Sequence, residues 1–201
     1  MSVTLEVFSD YVCPWCYLGS ARVAALCDDW DIDVRITHFP LHLDTPEEGL
    51  PLERLFPGRD VGRMQQDMEM RMRAEGLEYG DRRMTYNSVR AQQLALWAVE
   101  QPGGEAIHAA LFAAYFVEDV NLADVDELVR IAESVSLDGS AAREAVASRR
   151  FRPALSEHWE RCRRFGVTGV PTYRTQEGEA VGAQPLDVLQ ELIRNAGATP
   201  R

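Results

Sequence analysis

Apolar positions along the chain switch between two periods, and the switch outlines the fold. Residues Val3 to Phe8 are rich in β-branched and aromatic side chains and alternate weakly, which predicts a strand. Ser9-Asp10-Tyr11 then turns the chain, Tyr17 to Leu26 reads as helix, and Ile32 to Phe39 reads as a second strand. A proline-rich stretch over 40–60 predicts a loop. Beyond it the pattern becomes helical: Val61 to Glu75, with Met64, Met68 and Met72 as one stripe, then Asn87 to Glu100 and Glu105 to Val117. Asp124-x-x-Glu127 resembles a capping box ahead of an apolar face at Val125, Leu128, Val129 and Ala132. A short helix is expected over Ser140 to Ala147, and a longer one from about Arg152 to Phe165. Gly166 to Tyr173 gives a turn and a proline-led strand, and Thr175 to Gly182 a hairpin. Pro185 to Asn195 is a final helix with Leu186, Leu189, Leu192 and Ile193 on one face.

The element order is β-α-β, a block of helices, then α-β-β-α. Two pieces far apart in sequence, 1–45 and 150–201, would form one discontinuous α/β layer, with 46–149 as a helical insertion.

Composition narrows the chemistry. The 201 residues and 46% hydrophobic content suit one domain carrying a large insertion. No stretch approaches the roughly 20 apolar residues of a membrane span, and the N-terminus has neither the basic nor the apolar region of a secretory leader. A cytoplasmic location is expected. A net charge of -11 argues against nucleic acid and anionic membrane as partners. All 21 basic residues are arginine, so neither a Schiff-base lysine nor a P-loop lysine is available.

Within S-D-Y-V-C-P-W-C-Y-L-G, residues 9–19, Cys13 and Cys16 stand three apart behind a strand, with Pro14 at the first helical position, where a missing N–H costs nothing. The pair has three readings: redox, half of a metal site, or buried small hydrophobes. Packing alone gives no reason for a proline between the cysteines. A structural zinc site needs a second pair or spaced histidines. Cys27 and Cys162 are single, and His38, His42, His108 and His158 lack ligand spacing, so no metal is expected.

Redox chemistry fits the position. A helix N-terminus favours an anion, so Cys13 is expected to be acidified from the free value of about 8.5 toward the ~3.5–7.5 range of such sites. Cys16, one turn on, is placed to close a disulfide with it. The segment Gly166-Val-Thr-Gly-Val-Pro171 is a good place for a cis bond at Pro171. If that loop faces Cys13, the backbone of Val170 can pair with an extended peptide.

D-Y-V-C-P-W-C-Y-L-G at 10–19, N-S-V-R-A-Q at 87–92, A-L-F-A-A-Y-F at 110–116, G-V-T-G-V-P-T-Y at 166–173 and V-G-A-Q-P at 181–185 together resemble the DsbA-like oxidoreductases, specifically the cytoplasmic frenolicin-biosynthesis-type (FrnE-like) branch. The resemblance implies an α/β thioredoxin fold with an inserted all-helical domain. It implies protein disulfide oxidoreductase activity through a redox-active Cys13–Cys16 disulfide, with Pro171 cis beside it and no bound cofactor. Pro14, Trp15, Val170 and Pro171 would then contact the substrate: protein or peptide thiols and disulfides, or small thiols such as glutathione. Tyr173 departs from the pattern, which usually has phenylalanine there, and Gln92 replaces a common histidine.

Two other functions fit the same scaffold. One is a glutathione-dependent transferase or isomerase of the kappa-class or 2-hydroxychromene-2-carboxylate isomerase type, a branch with serine in the first active-site position. The other is a peptide-binding, chaperone-like module whose thiols idle. Cys27 and Cys162 are expected to be buried, and the helical block to offer an apolar face for a homodimer. The arginines at 149, 150, 152, 161, 163 and 164 are read as solvated helix faces or as a dock for an anionic substrate.

Overall fold

A computed structural model describes residues 2–201 and divides them into two compact units. One runs up to Leu41 and resumes over His158–Arg201; the other is His42–Glu157. Asn87 Nδ2 donates to the carbonyls of Leu43 (3.1 Å) and Thr45 (2.9 Å), which ties residues 42–45 into the helical unit.

The first unit is built on a four-stranded sheet of β1 (Val3–Ser9), β2 (Ile32–His38), β5 (Thr172–Arg174) and β6 (Glu179–Val181), in the order β2-β1-β5-β6. β1 and β2 are parallel, from Val3 opposite Ile32 to Ser9 opposite His38. β1 pairs antiparallel with β5, and β5 with β6. Parallel neighbours need a crossover, and α1 (Pro14–Asp29) supplies it.

Alternation along β1 sends Leu5 and Val7 into a core with Val23 and Leu26 of α1, Ile32, Tyr173, and Leu189 and Ile193 of α9 (Leu186–Asn195). On the opposite face Glu6 meets Arg161, and Phe8 packs edge-on against Phe165 at a centroid distance of 6.2 Å. Those partners lie at and just past the end of α8 (Arg152–Arg164), and the chain turns away at Gly166. There φ is +67°, a conformation glycine adopts without strain, and the Val167 N–H closes on the Cys162 carbonyl.

The second unit is helical apart from a two-residue ribbon, β3 (Leu50–Pro51) with β4 (Met84–Thr85). β3 and a four-residue helix, α2 (Leu52–Leu55), fall within the stretch expected to be loop. The pattern gave no sign of either, because two residues carry no periodicity. The longer helices are α3 (Val61–Ala74), α4 (Val89–Ala98), α5 (Ile107–Phe116), α6 (Val125–Ser134) and α7 (Gly139–Ala147). Met68 and Met72 of the α3 stripe are buried, and Met64 half so. Only half of the expected capping box forms. The Asp124 carboxylate accepts from the N–H groups of Asp126 and Glu127, while Glu127 pairs with Arg130 and the Asp124 N–H goes to Asn121. Among the described residues, no helix is long and apolar enough to cross a membrane.

Candidate functional site

The site lies where β1 ends and α1 begins. Cys13 is the N-cap, with extended φ/ψ of −93° and 113°, and Pro14 is the first helical residue. The helix therefore starts three residues before Tyr17, since Trp15 and Cys16 already carry helical backbone. The Cys13 carbonyl accepts from the N–H groups of Cys16 (3.0 Å) and Tyr17 (3.2 Å), which fixes Cys16 one turn above Cys13.

Both thiols are free and buried, at 4% and 3% exposure. Their acidities are driven apart. A hydrogen bond from the Cys16 thiol is the largest influence on Cys13, and with the N–H groups of Cys16 and Trp15 it outweighs burial and the Asp10 charge, so Cys13 lies below the ordinary cysteine value. Burial dominates at Cys16; the hydrogen bond to Cys13 and the Cys13 charge add to it and hold Cys16 well above that value. Of the two sulfurs, Cys13 is therefore the one that gives up its proton more readily.

The Val170–Pro171 bond is cis, and this loop faces the pair: the Cys13 thiol donates to the Val170 carbonyl at 3.5 Å. Thr172 Oγ1 to the Gly169 carbonyl (2.8 Å) and the Gly182 N–H to the Pro171 carbonyl (2.7 Å) brace the loop. Pro171 is buried, Val170 and Pro14 half-buried, and Trp15 is 40% exposed. The structure therefore gathers Cys13, Pro14, Trp15, Cys16, Val170 and Pro171 in one place.

Sequence reasoning missed three supports. Arg22 Nη1 donates to the carbonyls of Ala183 and Gln184, both at 2.7 Å, tying α1 to the V-G-A-Q-P segment. Gly19 lets α1 approach the loop: a Cβ there would lie 2.1 Å from the Tyr173 hydroxyl and 3.5 Å from Pro171 Cγ. Asp10 is 1% exposed and bonds main-chain N–H groups through both carboxylate oxygens. A turn aspartate is a known former of such side-chain turns, and that was its only signal.

Cys162 is buried, donates to the His38 carbonyl at 3.5 Å, and is pushed up to about 12, mainly by burial. Cys27, expected to be buried, is only half so, against the core under α1. His38 stacks on His158 at 5.3 Å, and the His38 main-chain N–H donates to His158 Nδ1 at 3.0 Å, which requires the His158 imidazole to be neutral. Arg161 is engaged with Glu6 rather than free for an anion. Among the described residues, no three histidine, cysteine or acidic side chains are grouped to hold a metal.

The sequence matches the model of the family described as DSBA-like thioredoxin domain over residues 4–194. It is 28% identical over 203 residues to the uncharacterized protein YwbO of Bacillus subtilis (strain 168), covering 96% of each chain. The probable DsbA oxidoreductase SCO1869 from Streptomyces coelicolor superposes with a TM-score of 0.89 at 25% identity, over 97% of this chain and 90% of that one. The cytosolic disulfide reductase DsbM from Pseudomonas aeruginosa, solved with GSH, gives 0.69 at 24% identity, over 96% and 94%.

Proposed function

The chain belongs to the DSBA-like thioredoxin domain family, and from that premise we propose that it is a cytoplasmic thiol–disulfide oxidoreductase of the frenolicin-biosynthesis type, working through Cys13 and Cys16. The observation that carries this reading is the geometry of the pair: Cys13 caps α1, Cys16 stands one turn on, and the Val170 carbonyl of the cis-proline loop lies 3.5 Å from Cys13 Sγ. In the reductive direction the Cys13 thiolate attacks one sulfur of a substrate disulfide. A Cys13–substrate disulfide forms, and the other substrate sulfur leaves as a thiolate and takes a proton. Cys16 then gives up its proton and attacks Cys13 Sγ. The second substrate thiol departs, leaving the substrate reduced by two electrons and the pair oxidised. The reverse sequence oxidises a dithiol.

The separation of acidities suits both steps, because the attacking sulfur is ionised early and the resolving sulfur keeps its proton until the mixed disulfide exists. Val170 offers its backbone to an extended protein, peptide or glutathione substrate, Pro171 shapes that loop, and Pro14 and the exposed Trp15 line the approach. Cysteine in the first position favours this redox reading over glutathione-assisted isomerisation. Dithiothreitol-driven insulin reduction, followed by turbidity, tests the assignment. Cys13→Ser is expected to abolish the acceleration, whereas Cys16→Ser traps the mixed disulfide; a Cys13→Ser variant as active as wild type refutes the reading.

A further inference from the structure

Resting on that exchange chemistry, we propose that Asp10 is a positioning residue that sets the redox potential of the Cys13–Cys16 pair by holding a fixed negative charge against it. Asp10 precedes Cys13 by three residues and is almost completely buried. Its Oδ1 accepts from the Val12 N–H at 3.1 Å, its Oδ2 accepts from the Leu41 N–H at 3.1 Å, and its carbonyl accepts from the Cys13 N–H at 3.2 Å. Val12 follows β1 and Leu41 follows β2, so the carboxylate is pinned beyond the ends of two neighbouring strands, on a residue whose own carbonyl binds the Cys13 N–H. Two main-chain donors on two different oxygens call for a carboxylate. Asparagine offers one acceptor and would turn an N–H toward the other donor.

The consequence is electrostatic. No cation is among the leading influences on Cys13 or Cys16, and the Asp10 charge is among those on Cys13, where it opposes the thiolate. The Cys13 thiolate is therefore favoured by hydrogen-bond donors and opposed by a carboxylate. That thiolate exists only in the reduced protein. The relevant balance is protein disulfide plus two glutathione giving a protein with one thiol and one thiolate, glutathione disulfide and one proton. Anything that stabilises the thiolate draws this balance toward reduction, so the Asp10 charge makes the pair a weaker oxidant than its helix N-terminus alone would.

The experiment is equilibration of wild type, Asp10→Asn, Asp10→Ser and Asp10→Glu with glutathione redox buffers, paired with the pH dependence of Cys13 alkylation. Asp10→Asn and Asp10→Ser should favour the reduced form by about tenfold, about 30 mV for a two-electron couple, as removal of one nearby like charge implies. Their alkylation midpoints should fall by about one pH unit. Asp10→Glu keeps the charge and should stay near wild type in both readouts. A purely structural turn residue predicts lower melting temperatures with unchanged equilibrium constants and alkylation midpoints, and that result overturns the assignment. A wild-type pair that never equilibrates with glutathione refutes the exchange reading itself and takes the Asp10 role with it. A pair that equilibrates but ignores both neutral substitutions refutes the Asp10 role alone.

Discussion

Replacing Arg161 by methionine tests how the strand that delivers Cys13 is held. Glu6 lies on β1 with 7% of its side chain exposed, and Arg161 binds both of its oxygens through Nε and Nη2, the latter at 2.7 Å; Thr37 Oγ1 donates to the same carboxylate. Burial alone would raise the Glu6 pKa, but the bonds from Arg161 and Thr37 and the charges of Arg161 and Arg35 outweigh it, and the carboxyl sits below its ordinary value. Methionine keeps the apolar stem and removes the guanidinium, leaving a buried carboxylate with one hydroxyl donor. Removing one partner of a buried pair costs about 3–5 kcal/mol. The Arg161 side chain is 28% exposed, so water reaches the gap and screens the lost pair, which brings the cost below that range to about 2–3 kcal/mol.

In urea this is a midpoint shift of roughly 1 M for an m-value of about 2–3 kcal/mol/M. The pH dependence separates charge from packing. With a depressed folded pKa, wild-type Glu6 contributes stability that is fully present above its unfolded value and lost as pH falls through the folded one. Without Arg161 the burial cost dominates and the Glu6 pKa moves above its unfolded value. The penalty is then greatest at neutral pH and fades as acid neutralises the carboxyl. Wild type and variant should therefore differ most at pH 7 and converge toward pH 4. Arg161 also lies over the Phe165 ring, 4.7 Å from its centroid, which leaves a pH-independent residue of about 0.5–1 kcal/mol. A difference below 0.5 kcal/mol at pH 7, or one that stays constant with pH, refutes the account.

Gly19→Ala should destabilise the protein by about 1–3 kcal/mol, because its Cβ meets the hydroxyl of a fully buried Tyr173. Tyr173→Phe should be neutral or stabilising by about 1 kcal/mol, since that hydroxyl has no hydrogen-bond partner among the described residues, and it should rescue most of the Gly19→Ala loss in a thermal-melt cycle. Iodoacetamide at pH 7, followed by peptide mass spectrometry on the reduced folded protein, should label Cys13 well before Cys162, whose thiol is buried and pushed up to about 12; equal labelling would contradict the acidities.

Legibility in the sequence tracked the range of the interaction. β1 was readable from local alternation, α3 from its methionine stripe, and α9 from one apolar face, because each pattern repeats within its own element. The first turn of α1 was not, because Pro14-Trp15-Cys16 has no period and Cys16 to Gly19 are buried in succession. The placement of Cys16 one turn beyond Cys13 was legible from their three-residue spacing. Glu6 with Arg161, separated by 155 positions, and Arg22 with Ala183, by 161, were not, since a hydrogen bond between distant segments leaves no periodic trace.

The same distinction separates what a short motif dictates from what the fold adds. The spacing C-P-W-C gives both sulfurs the same helix terminus, yet the structure makes them unequal. Cys13, as N-cap, stands outside the first turn, where the N–H groups of Trp15 and Cys16 favour its anion. Cys16 stands inside that turn, where burial favours its thiol. A solvated peptide with this motif would keep the dipole but lose the burial, and the two acidities would draw together. The separation thus depends on the fold that buries both sulfurs, and loosening that burial should narrow the gap between the thiols, read as converging alkylation midpoints.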